Sequence, residues 1–278
     1  MEKSGNLRAD IVLKAFLAGS PSGPSLTRFL PDEEKEALER LPLIEVASHS
    51  DADLLEKIHW SWFLPILKLY PESEQKLFLF AFPPYAEKNL AKTLTLSLGG
   101  EGTTEIGKVF LRKILLDSLL EGEGPPFPRN SLPKSALNRL LYLEKKELTH
   151  LIDRLSFYDL SMALRQIVET KILKKLYSLL TDEERRFLKG LSQYKDQFGL
   201  GKFGLERWDG TEETLRTLLH RRGLVRFAAG LSGQNPDLIW YICHQLDVGR
   251  GSVLAKLCQE EPIEEVTEAI IKQIEEHL

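Results

Sequence analysis

The sequence is poor in cysteine, with only Cys243 and Cys258 among its 278 residues. Two distant cysteines do not provide the disulfide framework of a small secreted domain, so we expect a reducing, cytoplasmic environment. Long apolar runs are also missing. The longest, WFLPIL at 62–67, is far shorter than the roughly 20 residues that cross a bilayer. We expect no direct membrane insertion.

An excess of positive charge is missing too. The chain has 37 Lys and Arg against 41 Asp and Glu, for a formal net charge of −4. This balance disfavours nucleic acid and anionic lipid as partners of the whole chain. The six histidines and two cysteines show no metal-ligand spacing, and no Walker-type phosphate loop occurs. We therefore expect no metal and no cofactor.

What the chain does contain is helical periodicity. Leucines recur three and four residues apart, strand-like alternation is scarce, and Thr181 with Glu184 forms a capping box that marks a helix start. The sequence predicts an all-α protein. One helix is indicated by apolar residues that the spacing places together on one face, namely Ile106, Phe110, Leu111, Ile114, Leu115 and Leu119.

A proline- and glycine-rich segment interrupts this pattern. Residues 121–130 read EGEGPPFPRN, and its prolines cannot lie within a helix. We predict a linker there, between an N-terminal lobe of residues 1–120 and a C-terminal lobe of residues 131–278. The alternative is a long loop within one continuous stack of helices.

Two segments of the chain share a pattern without a gap. Residues 55–94 and 152–191 align with five identities, among them Leu79 with Leu176 and Glu87 with Glu184. Helix, turn, helix, acidic cap and helix recur in step, which suggests a duplicated helical unit. We therefore predict armadillo-like or stacked helical-hairpin repeats, which leave broad surfaces free to bind proteins.

Two glycine-rich stretches resemble phosphate-binding motifs in amino-acid sequence alone. Gly199–Gly204 fits G-x-G-x-x-G, but polar helical sequence precedes it and no strand–helix–strand unit surrounds it. We predict an inter-helix loop whose aromatic residues, Phe203 and Trp208, either anchor it to the core or contact a partner. Residues 248–252, VGRGS, suggest either an anion at a helix start or a helix end followed by Ser252 as the next N-cap.

Aromatic residues are concentrated at 59–63, which reads HWSWF. Trp60, Trp62 and Phe63 cannot all face one core from a helix, because successive side chains spread around the axis. This segment is our main candidate for a protein-binding hot spot, although core packing of most of these rings is the simpler expectation.

Basic residues are concentrated at 220–226, HRRGLVR. Arg221, Arg222 and Arg226 form either a contact for an acidic protein surface or the last turn of a helix that Gly223 closes. A third interpretation treats residues 215–226 as a recognition helix of a nucleic-acid-binding regulator, which requires a continuous positive face there.

The repeated segments also carry a family resemblance. HWSWFLPILKLYPESEQKLFLFAFPP and LSFYDLSMALRQIVETKILKKLYSLLTDEERRFLKGL resemble helical units of the flagellar motor switch protein G. The layout is similar to that of cytosolic sorting-platform adaptors of type III secretion machines, particularly those of chlamydia-like bacteria. The resemblance covers 55–94 and 152–258. It implies a non-enzymatic cytosolic scaffold that binds other protein subunits of the assembly and lies at the periphery of an inner-membrane protein complex. An α-helical enzyme with a site between the lobes is the alternative.

Overall fold

The computed structural model of the protein describes residues 13, 14, 17, 26–41, 51–97, 102–121, 124–194 and 203–278. These residues form helices joined by turns, and none of them lies in a strand, so the prediction of an all-α protein is confirmed. The α-helices are α1 Asp32–Arg40, α2 Asp51–Lys57, α3 Leu64–Leu67, α4 Glu72–Leu79, α5 Pro84–Leu94, α6 Glu105–Leu120, α7 Lys145–Leu164, α8 Thr170–Leu179, α9 Asp182–Gly190, α10 Glu212–Leu231, α11 Pro236–Gln245, α12 Val248–Leu257 and α13 Glu264–Glu275. The 3-10 helices are Thr27–Phe29, Trp60–Phe63, Arg129–Ser131, Ala136–Tyr142, Leu191–Gln193 and Leu205–Arg207.

The chain divides into two compact units. The smaller comprises Met1–Ser50 with Pro125–Pro133, and the larger comprises Asp51–Gly124 with Lys134–Leu278. This division does not follow the predicted junction, because residues on both sides of the proline-rich segment belong to the larger unit. The two predicted lobes and the armadillo-like arrangement stay predictions.

Two 20-residue helices, α7 and α10, cross at the centre of the larger unit. Gly223 permits their close approach, since a Cβ atom there would lie 1.9 Å from the carbonyl oxygen of Ile152. The expectation that Gly223 ends a helix is wrong, because α10 continues to Leu231. Helix α13 packs against the other side of α10, where Gly230 lies against Ile270 and Ile274.

The segment around Trp62 joins the N-terminal helices of the larger unit to its C-terminal helices. The backbone N–H of His59 donates to the His244 carbonyl over 2.7 Å, and the Trp62 indole N–H donates to the Leu246 carbonyl over 2.9 Å. The Val248 N–H donates to the Ser61 hydroxyl at 2.9 Å. These bonds satisfy backbone groups at the turn between α11 and α12, where helix ends leave them without intrahelical partners.

The repeated segments fold alike over two of their three helices. At the offset of 97 residues between 55–94 and 152–191, α4 coincides with α8 and α5 coincides with α9 to within three residues at each end. The first element differs, because a long helix, α7, occupies the place of a 3-10 turn and the short α3. The two segments therefore share the positions of a helical hairpin, and the duplicated unit itself stays a prediction.

The observed starts of two helices confirm one prediction made from the sequence and contradict another. The Thr181 hydroxyl accepts from the Glu184 N–H, and the Glu184 carboxylate accepts from the Thr181 N–H, so the capping box that starts α9 is confirmed. Helix α12 begins at Val248 with Asp247 as its N-cap. The expected break before Ser252 is wrong, because residues 248–257 form one helix.

Candidate functional site

The aromatic segment serves the interior of the larger unit more than its surface. Trp60–Phe63 forms a 3-10 helix, in which Phe63 is fully buried and Trp60 and Trp62 are half-buried. The Phe63 ring packs edge-on against Phe82 with centroids 5.1 Å apart. Trp62 also lies against Gly251, where a Cβ would come within 2.6 Å of the indole. Trp60 is the member of this segment whose indole N–H has no acceptor in the described part of the chain.

His244 lies between two indole rings. Its ring centroid is 4.1 Å from that of Trp62 and 3.9 Å from that of Trp240, the latter nearly parallel. Its Nδ1 bonds to the Trp240 carbonyl oxygen over 2.8 Å, which makes Nδ1 the protonated nitrogen. Burial lowers the pKa of His244 to about 4, so the imidazole is neutral near pH 7 and acts as a flat packing group.

A chain of polar side chains runs along α7 and α12 beside this stack. His59 Nε2 lies 2.9 Å from Lys145 Nζ, and Lys145 Nζ lies 3.4 Å from Asp247 Oδ2. Burial and the Lys145 charge lower the pKa of His59 to about 4, so His59 accepts from the ammonium group. Burial raises the pKa of Asp247, but hydrogen bonds and charge from Arg250 and the charge of Lys145 outweigh it and lower that pKa to about 2.

The chain continues from Arg250 to His220. The Arg250 Nε–H donates to His220 Nε2 over 2.9 Å, and His220 Nδ1 lies 2.5 Å from Asp153 Oδ1. Both ring nitrogens of His220 therefore have partners. A general base needs a free acceptor directed at a substrate proton, and this histidine does not offer one. The arrangement fixes the relative positions of α7, α10 and α12.

Two of the predicted surface arginines lie in the interior. Arg226 is completely buried and Arg222 is 8% exposed. Arg222 donates from Nε and Nη2 to Asp159 Oδ2 over 2.9 and 2.6 Å, and Arg226 donates from Nη1 to Asp159 Oδ1. Arg226 also donates from Nε to Gln273 over 2.8 Å and from Nη2 to the Tyr194 hydroxyl over 2.9 Å.

This burial corrects the predicted basic patch. A partner cannot reach Arg222 or Arg226 in this structure, and only Arg221 of the three is exposed. The recognition-helix interpretation needs a continuous positive face over 215–226, and that face is interrupted by both buried arginines and by Leu215, Leu219 and Leu224 in the core. The residue that sequence reasoning missed is Asp159, because no local pattern pairs it with Arg222, which lies 63 residues later.

Phe203 and Trp208 lie in the segment that leads into α10. Phe203 is buried, and the Trp208 indole N–H donates to the Thr211 carbonyl oxygen over 2.8 Å. Core anchoring, one of the two roles expected for these rings, describes Phe203, whereas the Trp208 bond is local and exposed. Most of the glycine-rich motif, residues 199–202, lies outside the described residues.

A cleft of about 270 Å³ lies between α7, α9 and α10. Its apolar wall is formed by Phe157, Phe187 and Leu219. Its charged groups neutralise one another: Arg154 donates to Glu183 over 2.8 Å, and Arg216 pairs with Glu184. Burial raises the pKa of Glu184, but hydrogen bonds from Arg216 and Thr181 lower it below its ordinary value overall. A carboxylate held ionised in this way cannot serve as a general acid near pH 7.

The described ranges contain neither a metal-binding cluster nor a helix that could span a membrane. There, no three His, Cys, Asp or Glu side chains are close enough together to hold a metal ion. In the same ranges, no helix combines the length and apolar character that a membrane crossing requires.

An exposed apolar surface lies on α6. Ile106, Val109 and Phe110 are 83%, 56% and 64% exposed, and their i, i+3, i+4 spacing places them on one side of the helix. The opposite side, with Leu111 and Leu115, is buried. The expectation that Ile106 and Phe110 share a buried face with Leu115 is wrong. At about 100° per residue, Phe110 and Leu115 are far apart around the axis. We call Ile106, Val109 and Phe110 the α6 apolar face.

The α6 apolar face is rigidly supported. Thr104 caps the helix start by accepting from the Gly107 N–H over 3.1 Å, and the Arg112 Nε–H donates to the Ala81 carbonyl oxygen over 3.0 Å. Lys108 pairs with Glu105, and Lys113 pairs with Asp117, along its borders. Three large apolar side chains bordered by charged pairs have the composition of a protein-binding surface.

Comparison with known proteins identifies no relative: no family model, curated protein or solved structure matches this chain.

Proposed function

We propose that the protein is a non-enzymatic adaptor that binds other protein subunits within a multiprotein assembly of the type III secretion or flagellar export class. The observation that supports an adaptor is the α6 apolar face. Ile106, Val109 and Phe110 expose apolar area that burial against a partner would stabilise by roughly 25 cal/mol per Å². The class of assembly rests on the sequence resemblance alone.

The α6 apolar face replaces the aromatic segment as the proposed contact. Trp62 and Phe63 are committed to internal packing, whereas Ile106 and Phe110 have no comparable burial. A substitution at Trp62 would disturb the fold and the partner contact together. Substitutions on α6 separate the two, because the exposed side chains contribute little to the core.

The experiment is quantitative partner capture from cells that express the natural protein. Phe110→Glu places a charge in the α6 apolar face, and Ser118→Glu places the same charge at an exposed position elsewhere on α6. We expect a defined set of proteins to be retained by the wild type and by Ser118→Glu. Phe110→Glu should lower their recovery about tenfold or more. Thermal unfolding should be alike for all three proteins.

Two results would contradict the proposal. One is a Phe110→Glu protein that retains the same partners in the same amounts. The other is a set of captured proteins without any subunit of a secretion or export assembly, which would remove the proposed class and leave only the adaptor role.

A further inference from the structure

One face of α8 presents three lysines to solvent. Lys171, Lys174 and Lys175 follow i, i+3, i+4 spacing and are all exposed, and we call them the lysine face. The other side of α8 is fixed to the protein by Leu176, which is fully buried. The Lys175 side chain lies across Gly210, where a Cβ would come within 2.4 Å of Nζ. The lysine face therefore has a defined position on the larger unit.

These three lysines lack the ion pair that several lysines of the other described helices form. Lys76 pairs with Glu72, and Lys113 pairs with Asp117, each across four residues of one helix. Within the described part of the chain, no carboxylate forms an ion pair with any member of the lysine face. Helix α8 itself contains no Asp or Glu.

A face of opposite charge lies on α13. Glu264, Glu265 and Glu268 are exposed on the first turns of the helix, and we call them the glutamate face. No ion pair involves them within the described ranges. Lys272 lies one turn further on the same side, but Glu260 and Glu261 precede the face, so its net charge is negative. The opposite side of α13, with Val266, Ile270 and Ile274, is buried.

The two faces match in charge and in length. The first and last members of each face are four residues apart, Lys171 to Lys175 and Glu264 to Glu268. At 1.5 Å per residue, each face is about 6 Å long along its helix. Each has an exposed aliphatic residue nearby: Val168 is 94% exposed beside α8, and Ile263 is 69% exposed beside α13. Within the described ranges the two faces form no ion pair with each other, so both are available to a second molecule.

We propose that the occupant of the lysine face is the glutamate face of a second copy of this chain. The contact joins unlike surfaces, so a pair of copies leaves one glutamate face and one lysine face unfilled, and further copies add head to tail. This inference concerns surfaces other than the α6 apolar face and does not depend on the adaptor proposal.

An anionic membrane fits the lysine face less well than a second copy does. A helix that lies in a lipid surface inserts its apolar side, whereas Leu176 of α8 is turned into the protein. The net charge of −4 also disfavours an anionic surface. A second copy supplies three carboxylates at matching spacing and an exposed aliphatic side chain.

The expected association is weak and sensitive to salt. Exposed ion pairs contribute little each, so we expect a Kd on the order of 0.1–1 mM at low ionic strength. Raising the salt from about 50 to about 500 mM should weaken it about tenfold, because the charges remain partly hydrated and are screened.

The first experiment is sedimentation of the purified full chain at concentrations up to about 1 mM. The variant Lys171→Glu/Lys174→Glu/Lys175→Glu reverses the lysine face. Its matched control, Lys68→Glu/Lys88→Glu/Lys92→Glu, changes the net charge equally at exposed lysines of the same unit. We expect association of the wild type and the control, and at least a tenfold loss for the lysine-face variant.

The second experiment tests which faces meet. Lys174→Cys protein is mixed with Glu265→Cys protein and treated with a short bis-maleimide. Burial raises the pKa of the native Cys243 and Cys258 thiols to about 12 and about 11, which slows their reaction, and the wild type treated alike gives their background. We expect cross-links between unlike variants to exceed those between like variants.

Three outcomes would overturn the inference. These are a wild type that stays monomeric at low salt, a lysine-face variant that associates as the wild type does, and cross-links formed equally among all pairs. Binding of the wild type but not of the lysine-face variant to phosphatidylserine vesicles, without self-association, would assign the lysine face to a lipid surface instead.

Discussion

The Arg226 guanidinium, completely buried, donates to the carboxylate of Asp159, which lies 67 positions earlier in the chain. The same carboxylate accepts two further bonds from Arg222. One buried negative charge is thus shared by two buried positive charges, and the remaining Arg226 donors reach Gln273 and Tyr194. Buried charges persist in a fold only when such bonds replace their hydration.

Asp159→Asn should destabilise the protein strongly. The amide keeps the shape of the side chain but leaves two guanidinium groups inside the fold without a counter-charge. Breaking a buried pair in this way costs about 3–5 kcal/mol. Urea unfolding followed by circular dichroism measures the free energy of unfolding. The control, Asp117→Asn, removes the exposed partner of Lys113 and should cost less than about 1 kcal/mol. Equal effects of the two substitutions would show that the buried cluster contributes nothing beyond a surface pair.

Gly223→Ala should destabilise the protein even though alanine favours helices. The added methyl group would overlap the Ile152 carbonyl oxygen and force α7 and α10 apart. Overpacking of this kind costs about 1–3 kcal/mol. Gly190→Ala, at the end of α9 with no neighbour within 4 Å of the added carbon, should be neutral or slightly stabilising. Thermal denaturation of the two variants checks this. A Gly223→Ala protein as stable as the wild type would mean that the helices do not cross this closely.

His244 should make stability depend on pH below 6.5. Its folded-state pKa of about 4 lies below the ordinary value of 6.5, so the unfolded chain binds a proton more readily between these values. The contribution of the buried neutral ring is complete above about pH 6.5 and falls as the pH drops towards 4, by at most about 3 kcal/mol. The measurement is the free energy of unfolding at pH 7 and pH 4.5 for the wild type and His244→Phe.

The phenylalanine variant should lose less stability between these pH values than the wild type. His150→Gln, which alters an exposed histidine, should keep the wild-type pH dependence. The same loss in all three proteins would show that His244 does not titrate within the fold.

Trp62→Leu should cost more stability than Trp60→Leu. Trp62 loses the hydrogen bond to the Leu246 carbonyl and the stack on His244, whereas Trp60 has no side-chain hydrogen bond to lose. We expect a difference of about 1–3 kcal/mol, the cost of a buried acceptor left without its donor. Parallel urea titrations of the two variants compare them directly. The reverse order would place the principal anchor of this segment at Trp60.

Local patterns predicted the helices well. Leucine spacing indicated an all-α protein, and the Thr181–Glu184 box located the start of α9, because both signals depend only on residues within one or two turns. The aligned segments 55–94 and 152–191 also matched the positions of two helices. Such features need no knowledge of distant parts of the chain.

Contacts between distant residues were the source of the errors. Gly223 has the local context of a helix end, but the Ile152 carbonyl on another helix requires a glycine within α10. Arg222 and Arg226 have the local sequence context of a basic surface patch. Only the folded chain brings Asp159 beside them. The exposure of Ile106 and Phe110 depends on which side of α6 meets its neighbours, and the apolar residues of α6 extend around more than one side.

The crossing of α7 and α10 restricts how this sequence can change during evolution. Position 223 accepts only hydrogen as a side chain, and the arginines on either side of it depend on a single aspartate in the facing helix. A descendant that alters Asp159 must alter Arg222 and Arg226 together. Replacing only the aspartate or only the arginines would leave a buried charge without its counter-charge. The pattern Arg-Gly-x-x-Arg, preceded by an aspartate some sixty residues upstream, is therefore a physically grounded signature by which divergent homologues of this fold can be recognised.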